Sequence, residues 1–233
     1  MSMASLRNLV RLLHPDNYRT ARLTTLPAIL RPAIKVTRTR FAGAVHNEDG
    51  NMSIPNPTVD GQGRRFTGPP SKEIDAAWDN LLFGRYVRLS DSEVHWLNRD
   101  KTLPALSYTN LTVSDKLSPG YHAGPDMLHS LHCLNTLRKH LDYKYYNDQM
   151  KIPKGYRRMH VEHCIDQLRQ AVLCHGDLTP VTLKSVRFWD EDKGEEVWAL
   201  LGETERKHSC RNGAELAEKW HELGRERGYF AAS

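Results

Sequence analysis

A ten-residue pattern occurs twice in the chain, and it constrains the fold more than any other feature of the sequence. The pattern reads His-x-x-His-Cys-(Leu/Ile)-x-x-Leu-Arg and occupies residues 129–138 and 160–169. The two copies are separated by 31 residues at every matched position. A duplicated pair, unlike a long array of repeats, indicates two equivalent structural elements and no solenoid.

The spacing predicts that each copy is an α-helix with two distinct faces. Histidines at i and i+3 are surface neighbours on a helix, so one face carries imidazole and thiol groups and an adjoining face carries apolar side chains. The apolar stripes are Leu131, Leu134, Leu137 and Leu141 in the first copy and Val161, Ile165, Leu168 and Val172 in the second. If the two stripes pack together, four imidazoles meet in one cleft.

Four imidazoles in one cleft predict a metal site, because neutral imidazole is the commonest metal ligand and facing helices commonly frame such sites. The candidate ligands are His129, His132, His160 and His163, with Cys133, Cys164, His175 and Asp177 as secondary candidates. Asp177 is equally suited to cap the turn after the second helix. The alternative is a structural duplication in which the His and Cys side chains only pack.

Charge and cysteine content exclude some classes of protein. The net charge of +5 arises in residues 1–45, which carry eight Lys or Arg and one Asp, so that the remainder carries −2. The main part of the chain therefore has no electrostatic support for nucleic-acid binding. Four cysteines in 233 residues do not make a disulfide scaffold. Cys174 lies on the motif stripe and Cys210 just before the last predicted helix, so we expect these two to be close and to form a possible disulfide.

The chain order predicts a basic N-terminal arm or targeting segment (1–45), a Pro- and Gly-rich linker (46–70) and a domain over 71–233. The arm has the composition of a mitochondrial transit peptide, and a disordered basic arm or an incomplete gene model are the alternatives. No stretch has the roughly 18–20 apolar residues that would span a bilayer. Ser71 and Ser90 are predicted helix N-caps, and the periodicity of Ile74, Ala77, Trp78, Leu81 and Leu82 predicts a core helix.

These elements predict a mainly α fold. We expect a single domain around an antiparallel pair of motif helices, because the link between them is short. Short strands and long loops complete it, with Tyr86–Leu89, Leu111–Val113, Ser185–Trp189 and Glu196–Leu200 as short strand or turn segments. A final helix is predicted from Asn212, carrying Leu216, Trp220 and Leu223.

The sequence resembles the fungal UstYa-like family. The resemblance rests on the paired His-x-x-His-Cys motifs, on LCHGDLTP at 173–180, on HSCR at 208–211 and on IDAAWDNL at 74–81. It implies an oxidase that tailors a fungal secondary metabolite by cyclisation, hydroxylation or dehydrogenation, with the paired motifs as the catalytic residues. It also implies a small-molecule or peptide substrate, a paralogous partner of the same family and residence in the endomembrane lumen.

Copper is the first choice of metal, with iron and zinc as alternatives. All-imidazole ligation suits these metals, and only redox metals fit the oxidation that the resemblance implies. Neither motif holds a carboxylate at the i, i+3 or i+4 position that an iron site would use. Two other functions stay open: a zinc-stabilised partner subunit without catalysis, and a metal-free cyclase that uses histidine as acid and base.

Overall fold

The structure is a computed structural model that describes residues 34–41, 45–48, 50–54, 63–99, 101–102, 105–109, 119–203 and 206–230. Its residues group into two units, each with its own internal contacts. The motif unit comprises the described residues between 38 and 83 and between 125 and 208, and the sheet unit comprises those between 34 and 37, between 84 and 124 and between 209 and 230. The division into arm, linker and domain stays a prediction. The predicted strand Leu111–Val113 lies outside the described residues.

The described elements include both helices and strands. In chain order they are β1 (Val36–Arg40), β2 (His46–Glu48), β3 (Asn51–Ser53), α1 (Lys72–Leu81), β4 (Tyr86–Arg88), α2 (Asp91–Leu97), β5 (His122–Ala123), α3 (Asp126–Leu141), α4 (Tyr143–Tyr146), α5 (Arg157–His175), β6 (Thr182–Asp190), β7 (Glu195–Glu203), β8 (Lys207–Arg211), α6 (Gly213–Arg227) and β9 (Tyr229–Phe230). Two 3₁₀ turns, Asn147–Gln149 and Lys154–Tyr156, lie between α4 and α5.

The fold is mixed α/β, which corrects the predicted mainly α class. The strands β6 and β7 are nine residues each and pair antiparallel over their whole length, from Thr182 opposite Glu203 to Asp190 opposite Glu195. Only Val186 of this hairpin is buried. Because burial is so sparse, the alternating pattern that would predict long strands is weak, and the sequence indicates only short strand or turn segments there. The sequence predicts no strand in the segments that hold β1, β2 and β3, which it assigns to a basic arm and to a Pro- and Gly-rich linker.

Helix α1 supplies the core of the motif unit. The Ser71 hydroxyl accepts a hydrogen bond from the Ile74 amide at 3.3 Å, so it caps the helix as predicted. The buried side chains of Ile74, Trp78 and Leu82 form one cluster, and Leu131 of α3 packs against it. The first motif helix is therefore held in place by α1 on the side away from α5.

The motif helices α3 and α5 begin and end at residues suited to those positions. Pro125 precedes α3, where its missing N–H costs nothing. Gly176 ends α5 with φ of 46°, in the left-handed conformation that favours glycine, and its amide bonds to the Val172 carbonyl. The histidine rings face each other in crossed order, 129 with 163 and 132 with 160, so the two helices run antiparallel.

The sheet unit is built around β4, which pairs with β5 on one side and β9 on the other. Ser90 and Glu93 form a capping box at the start of α2, and Arg227 of α6 binds Glu93 at 2.6 Å. The Trp220 indole of α6 donates to the Gly84 carbonyl at 2.9 Å.

Among the helices of the described residues, none is long and apolar enough to cross a membrane.

Candidate functional site

The four motif histidines lie between α3 and α5 in two facing pairs. The ring centroids of His129 and His163 are 5.5 Å apart, and those of His132 and His160 are 5.7 Å apart. The rings of His160 and His163 are 6.4 Å apart. The structure thus brings all four histidines into one cluster, to which each helix contributes two.

The two motif cysteines lie in the same cluster and are fully buried. The Cys133 sulfur is 3.9 Å from Nε2 of His129, and the Cys164 sulfur is 3.9 Å from Nε2 of His160. Burial raises the pKa of the Cys164 thiol, against the lowering effect of hydrogen bonds from Cys133 and Thr136. The two thiols therefore adjoin in the closely packed part of the helix interface, and burial favours the neutral form of the Cys164 thiol.

The cluster has an internal two-fold relation that follows from the 31-residue repeat. Exchanging the two copies converts the 129–163 pair into the 160–132 pair. It also converts the contact of Cys133 with His129 into the contact of Cys164 with His160. The site consequently has two related halves, each with one imidazole from either helix and one thiol.

One of these halves has the donor chemistry and spacing to bind a metal ion. The candidate ligand atoms of His129, Cys133 and His163 all lie within 4.8 Å of one another. A tetrahedral ion with bonds of about 2.0–2.3 Å requires ligand atoms roughly 3.3–3.8 Å apart. A movement of about 1 Å by the side chains would close the group around an ion. Among the described residues, no other group of three such ligand atoms is gathered as closely.

Asp126 is a neighbour of this site that the motif pattern does not include. Its Oδ1 lies 3.8 Å from Nδ1 of His129 and accepts a hydrogen bond from Gln167 of α5 at 2.8 Å. Since Nε2 of His129 is the atom near Cys133, Nδ1 is left for the carboxylate. Carboxylates in this position orient metal-binding histidines. The i, i+3 spacing from Asp126 to His129 was the available sequence signal.

The structure does not bring the other secondary candidates into the cluster. His175 is exposed and its Nδ1 lies 2.6 Å from the Ala171 carbonyl. It is twelve residues after His163, which corresponds to about 18 Å along a helix. Asp177 instead accepts hydrogen bonds from the amide and hydroxyl of Thr179, so it caps the turn.

Asp177 also binds His208 of β8. The Oδ2 atom of Asp177 lies 2.5 Å from Nδ1 of His208, whose buried ring stacks on Phe41 at 3.8 Å. Desolvation raises the pKa of Asp177, but hydrogen bonds from Thr179 and His208 outweigh it and hold the pKa below its ordinary value.

All four cysteines are free thiols in the structure, and the bridge between Cys174 and Cys210 stays a prediction.

The predicted packing of the two apolar stripes is wrong. Ile165 and Val172 of α5 are 54% and 71% exposed, while the thiol face of the same helix is buried against α3. On α3, Leu131 packs against α1. The helices meet through their His and Cys faces because the small cysteine side chains allow a close approach and the imidazoles pair across it.

The comparisons with known proteins assign the chain to a family. The family model described as mycotoxin biosynthesis protein UstYa matches residues 4–222, and the chain belongs to the UstYa family. It is 30% identical to the UstYa family oxidase phomYd of Diaporthe leptostromiformis over 81% of this chain and 58% of that protein. It is 29% identical to the oxidase ustYa of Aspergillus flavus over 55% of this chain and 52% of that protein.

A third relative has a different name. The chain is 30% identical to the transacylase cctO of Talaromyces islandicus, over 66% of this chain and 50% of that protein. The chain thus spans about half the length of the curated relatives it matches. No solved structure matches the chain.

Proposed function

We propose that this protein is a metal-dependent oxidase that tailors a fungal secondary metabolite, a small molecule or a peptide, by cyclisation, hydroxylation or dehydrogenation. The observation that carries the proposal is the cluster of four histidines and two buried cysteines between α3 and α5. Membership in a family with several members named as oxidases supports the redox chemistry.

His129, Cys133 and His163 would hold the metal, with His132, His160 and Cys164 as the related second half. Copper is the preferred ion, since imidazole and thiol ligands suit it and it changes oxidation state. When bound, it would supply electron transfer from substrate to dioxygen. For a dehydrogenation, the substrate loses two electrons and two protons, and dioxygen accepts them as hydrogen peroxide.

The residues around the ligands have distinct tasks in this proposal. Asp126 orients His129 through Nδ1, so that Nε2 faces the metal. The fully buried Cys133 and Cys164 keep water out of the helix interface. His163 is exposed, so the site is open to a substrate on that side. A catalytic metal site keeps such an open position, whereas a structural zinc site is closed by four protein ligands.

Two candidate functions from the sequence are the rivals to this proposal. One is a zinc-stabilised subunit that pairs with a paralogous member of the family. The other is a metal-free cyclase that uses histidine as acid and base. The open side of the ligand group favours the oxidase over the zinc-stabilised subunit, because closed ligation is the mark of structural zinc.

The test compares two exposed histidines of the same helix. His163→Ala should lose the metal and the oxygen-dependent turnover of a candidate metabolite together, while His175→Ala should keep both. The melting temperature of His163→Ala should stay near that of the wild type. Loss of metal with unfolding would indicate structural zinc instead. Equal turnover of the wild type without oxygen or any other oxidant would refute the oxidase.

A further inference from the structure

A second concave site lies in the motif unit beyond the end of α5. Its volume is about 430 Å³, and the residues that line it are Arg38, Arg40, Thr179, Pro180, Arg206 and Lys207. The volume lies within the range of small-molecule sites in proteins, roughly 300–1,000 Å³. None of these lining residues belongs to the histidine cluster, so this pocket is a different site.

The charge of the pocket is its distinguishing property. Six of the described residues line it; four of these are cationic, and none of the six is acidic. Within the described part of the chain, none of these four cations makes an ion pair, whereas Arg138, Arg187 and Arg227 each bind a carboxylate. Asp177 lies two residues before Thr179, but its oxygens are engaged by His208 and Thr179. Among the residues that the structure describes, no carboxylate of the pocket lining therefore neutralises this positive charge.

The backbone explains why these cations converge. Arg38 and Arg40 are two residues apart on β1, so they point to the same side of the strand. Lys207 begins β8, which pairs with β1, and Arg206 precedes it. The opposite wall, Thr179 and Pro180, is fixed by the Asp177 turn and by the proline ring. The pocket is thus built on two paired strands and a hydrogen-bonded turn.

We propose that this pocket binds a ligand carrying two or more carboxylate or phosphate groups. Three guanidinium groups offer the planar pairs of N–H donors that match either oxyanion, and the lysine adds a compact charge. A ligand with a single negative charge would neutralise only a quarter of the cationic side chains. This proposal goes beyond the oxidase function and does not depend on a metal.

The test is calorimetric binding to the full chain, with inorganic phosphate and succinate as probes and acetate as the monovalent comparison. Phosphate or succinate should bind saturably and at least about tenfold more tightly than acetate, and added salt should weaken the binding. Preference for one of the two probes then identifies phosphate or carboxylate as the ligand group. Saturable binding of neither probe at low salt would overturn the proposal.

Matched variants locate the binding. Arg38→Gln with Arg40→Gln should weaken the preferred probe by about tenfold or more, since each removes a charge-assisted contact. Lys144→Gln with Lys184→Gln removes the same charge from exposed residues elsewhere and should leave binding unchanged. Equal weakening by both pairs would refute a local site.

Two further variants guard against loss of the fold and against confusion with the metal site. Arg206→Gln with Lys207→Gln should weaken the preferred probe as much as the Arg38 and Arg40 pair does, and unchanged binding in this variant would contradict the pocket. His163→Ala should bind the probe as the wild type does. Because of that, a failure of the oxidase proposal and a failure of this one give different results.

Discussion

The two copies of the motif share their inner residues and differ in almost everything outside them. Leu128 before the first copy is fully buried, while Met159, its equivalent in the repeat, is 61% exposed. Arg138 binds Asp75 and Tyr146, whereas Arg169 binds Asp166 on the surface of its own helix. The inner histidines and cysteines nevertheless form two related halves of one cluster.

The repeat therefore specifies the residues of the site. Contacts with the rest of the motif unit make the first copy the more important of the two for stability. Helix α3 contacts α5, and its Leu131 packs against the cluster that α1 forms. On α5, Cys164 is the sole residue that is buried in the described structure. The two copies are therefore alike in the histidines and cysteines that face the interface between α3 and α5. The first copy holds this site in the motif unit.

Substitutions of the residue that precedes each motif copy should differ most in their effect on the free energy of unfolding. Leu128→Ala should lower the free energy of unfolding by about 3 kcal/mol, because it leaves a cavity in a fully buried place. Met159→Ala should change it by less than about 0.5 kcal/mol. Urea denaturation of both variants gives the two values, and equal losses would contradict the asymmetry of the two copies.

The next comparison uses the arginine that ends each copy. Arg138→Ala should cost about 2–3 kcal/mol, since its side chain is 11% exposed and its loss leaves the Asp75 carboxylate without its 2.7 Å partner. Arg169→Ala should cost less than about 0.5 kcal/mol, because the ion pair with Asp166 is exposed. Urea denaturation measures both variants. A large loss of unfolding free energy in Arg169→Ala would show that the arginine of the second copy also stabilises the fold.

A smaller effect concerns pH. Burial, followed by the hydrogen bond to Asp75, raises the pKa of Tyr146 above its ordinary value of 10.0, although Arg138 opposes the shift. Because the folded protein favours the protonated phenol, this contribution to stability is complete below pH 10 and is lost as the pH rises through the raised pKa.

Tyr146→Phe should remove that alkaline slope and cost about 1 kcal/mol at neutral pH. Tyr156→Phe is the control, since Tyr156 is 60% exposed at the start of α5. Unfolding free energies measured from pH 8 to 11 test both variants. An unchanged slope in Tyr146→Phe would mean that another group governs the alkaline loss.

Local signals predicted much of the helical structure. The caps at Ser71 and Ser90 and the start of the final helix at Asn212 are where the sequence predicts them. These depend on short-range hydrogen bonds and backbone preferences, which a few residues encode. The spacing of the histidines likewise predicted their shared face.

Long-range packing was the part that the sequence could not determine. The apolar stripe of α5 looked like a packing face, yet Ile165 and Val172 are exposed, because the choice of partner face depends on where α1 lies. Arg38 and Arg40 counted only as part of a basic N-terminal segment, since their pocket requires Arg206 and Lys207 from the distant β8 region. Pairing of distant strands has no local sequence signal.

Copper titration followed by electron paramagnetic resonance shows whether the two motif copies bind a metal ion at one shared site. The wild type should give a spectrum with imidazole nitrogen coupling. His129→Ala on α3 and His163→Ala on α5 should each abolish or strongly alter that spectrum, while His175→Ala should leave it unchanged. A spectrum that survives both motif substitutions, or that depends on His175 instead, would show that the two motif copies do not form a shared metal site.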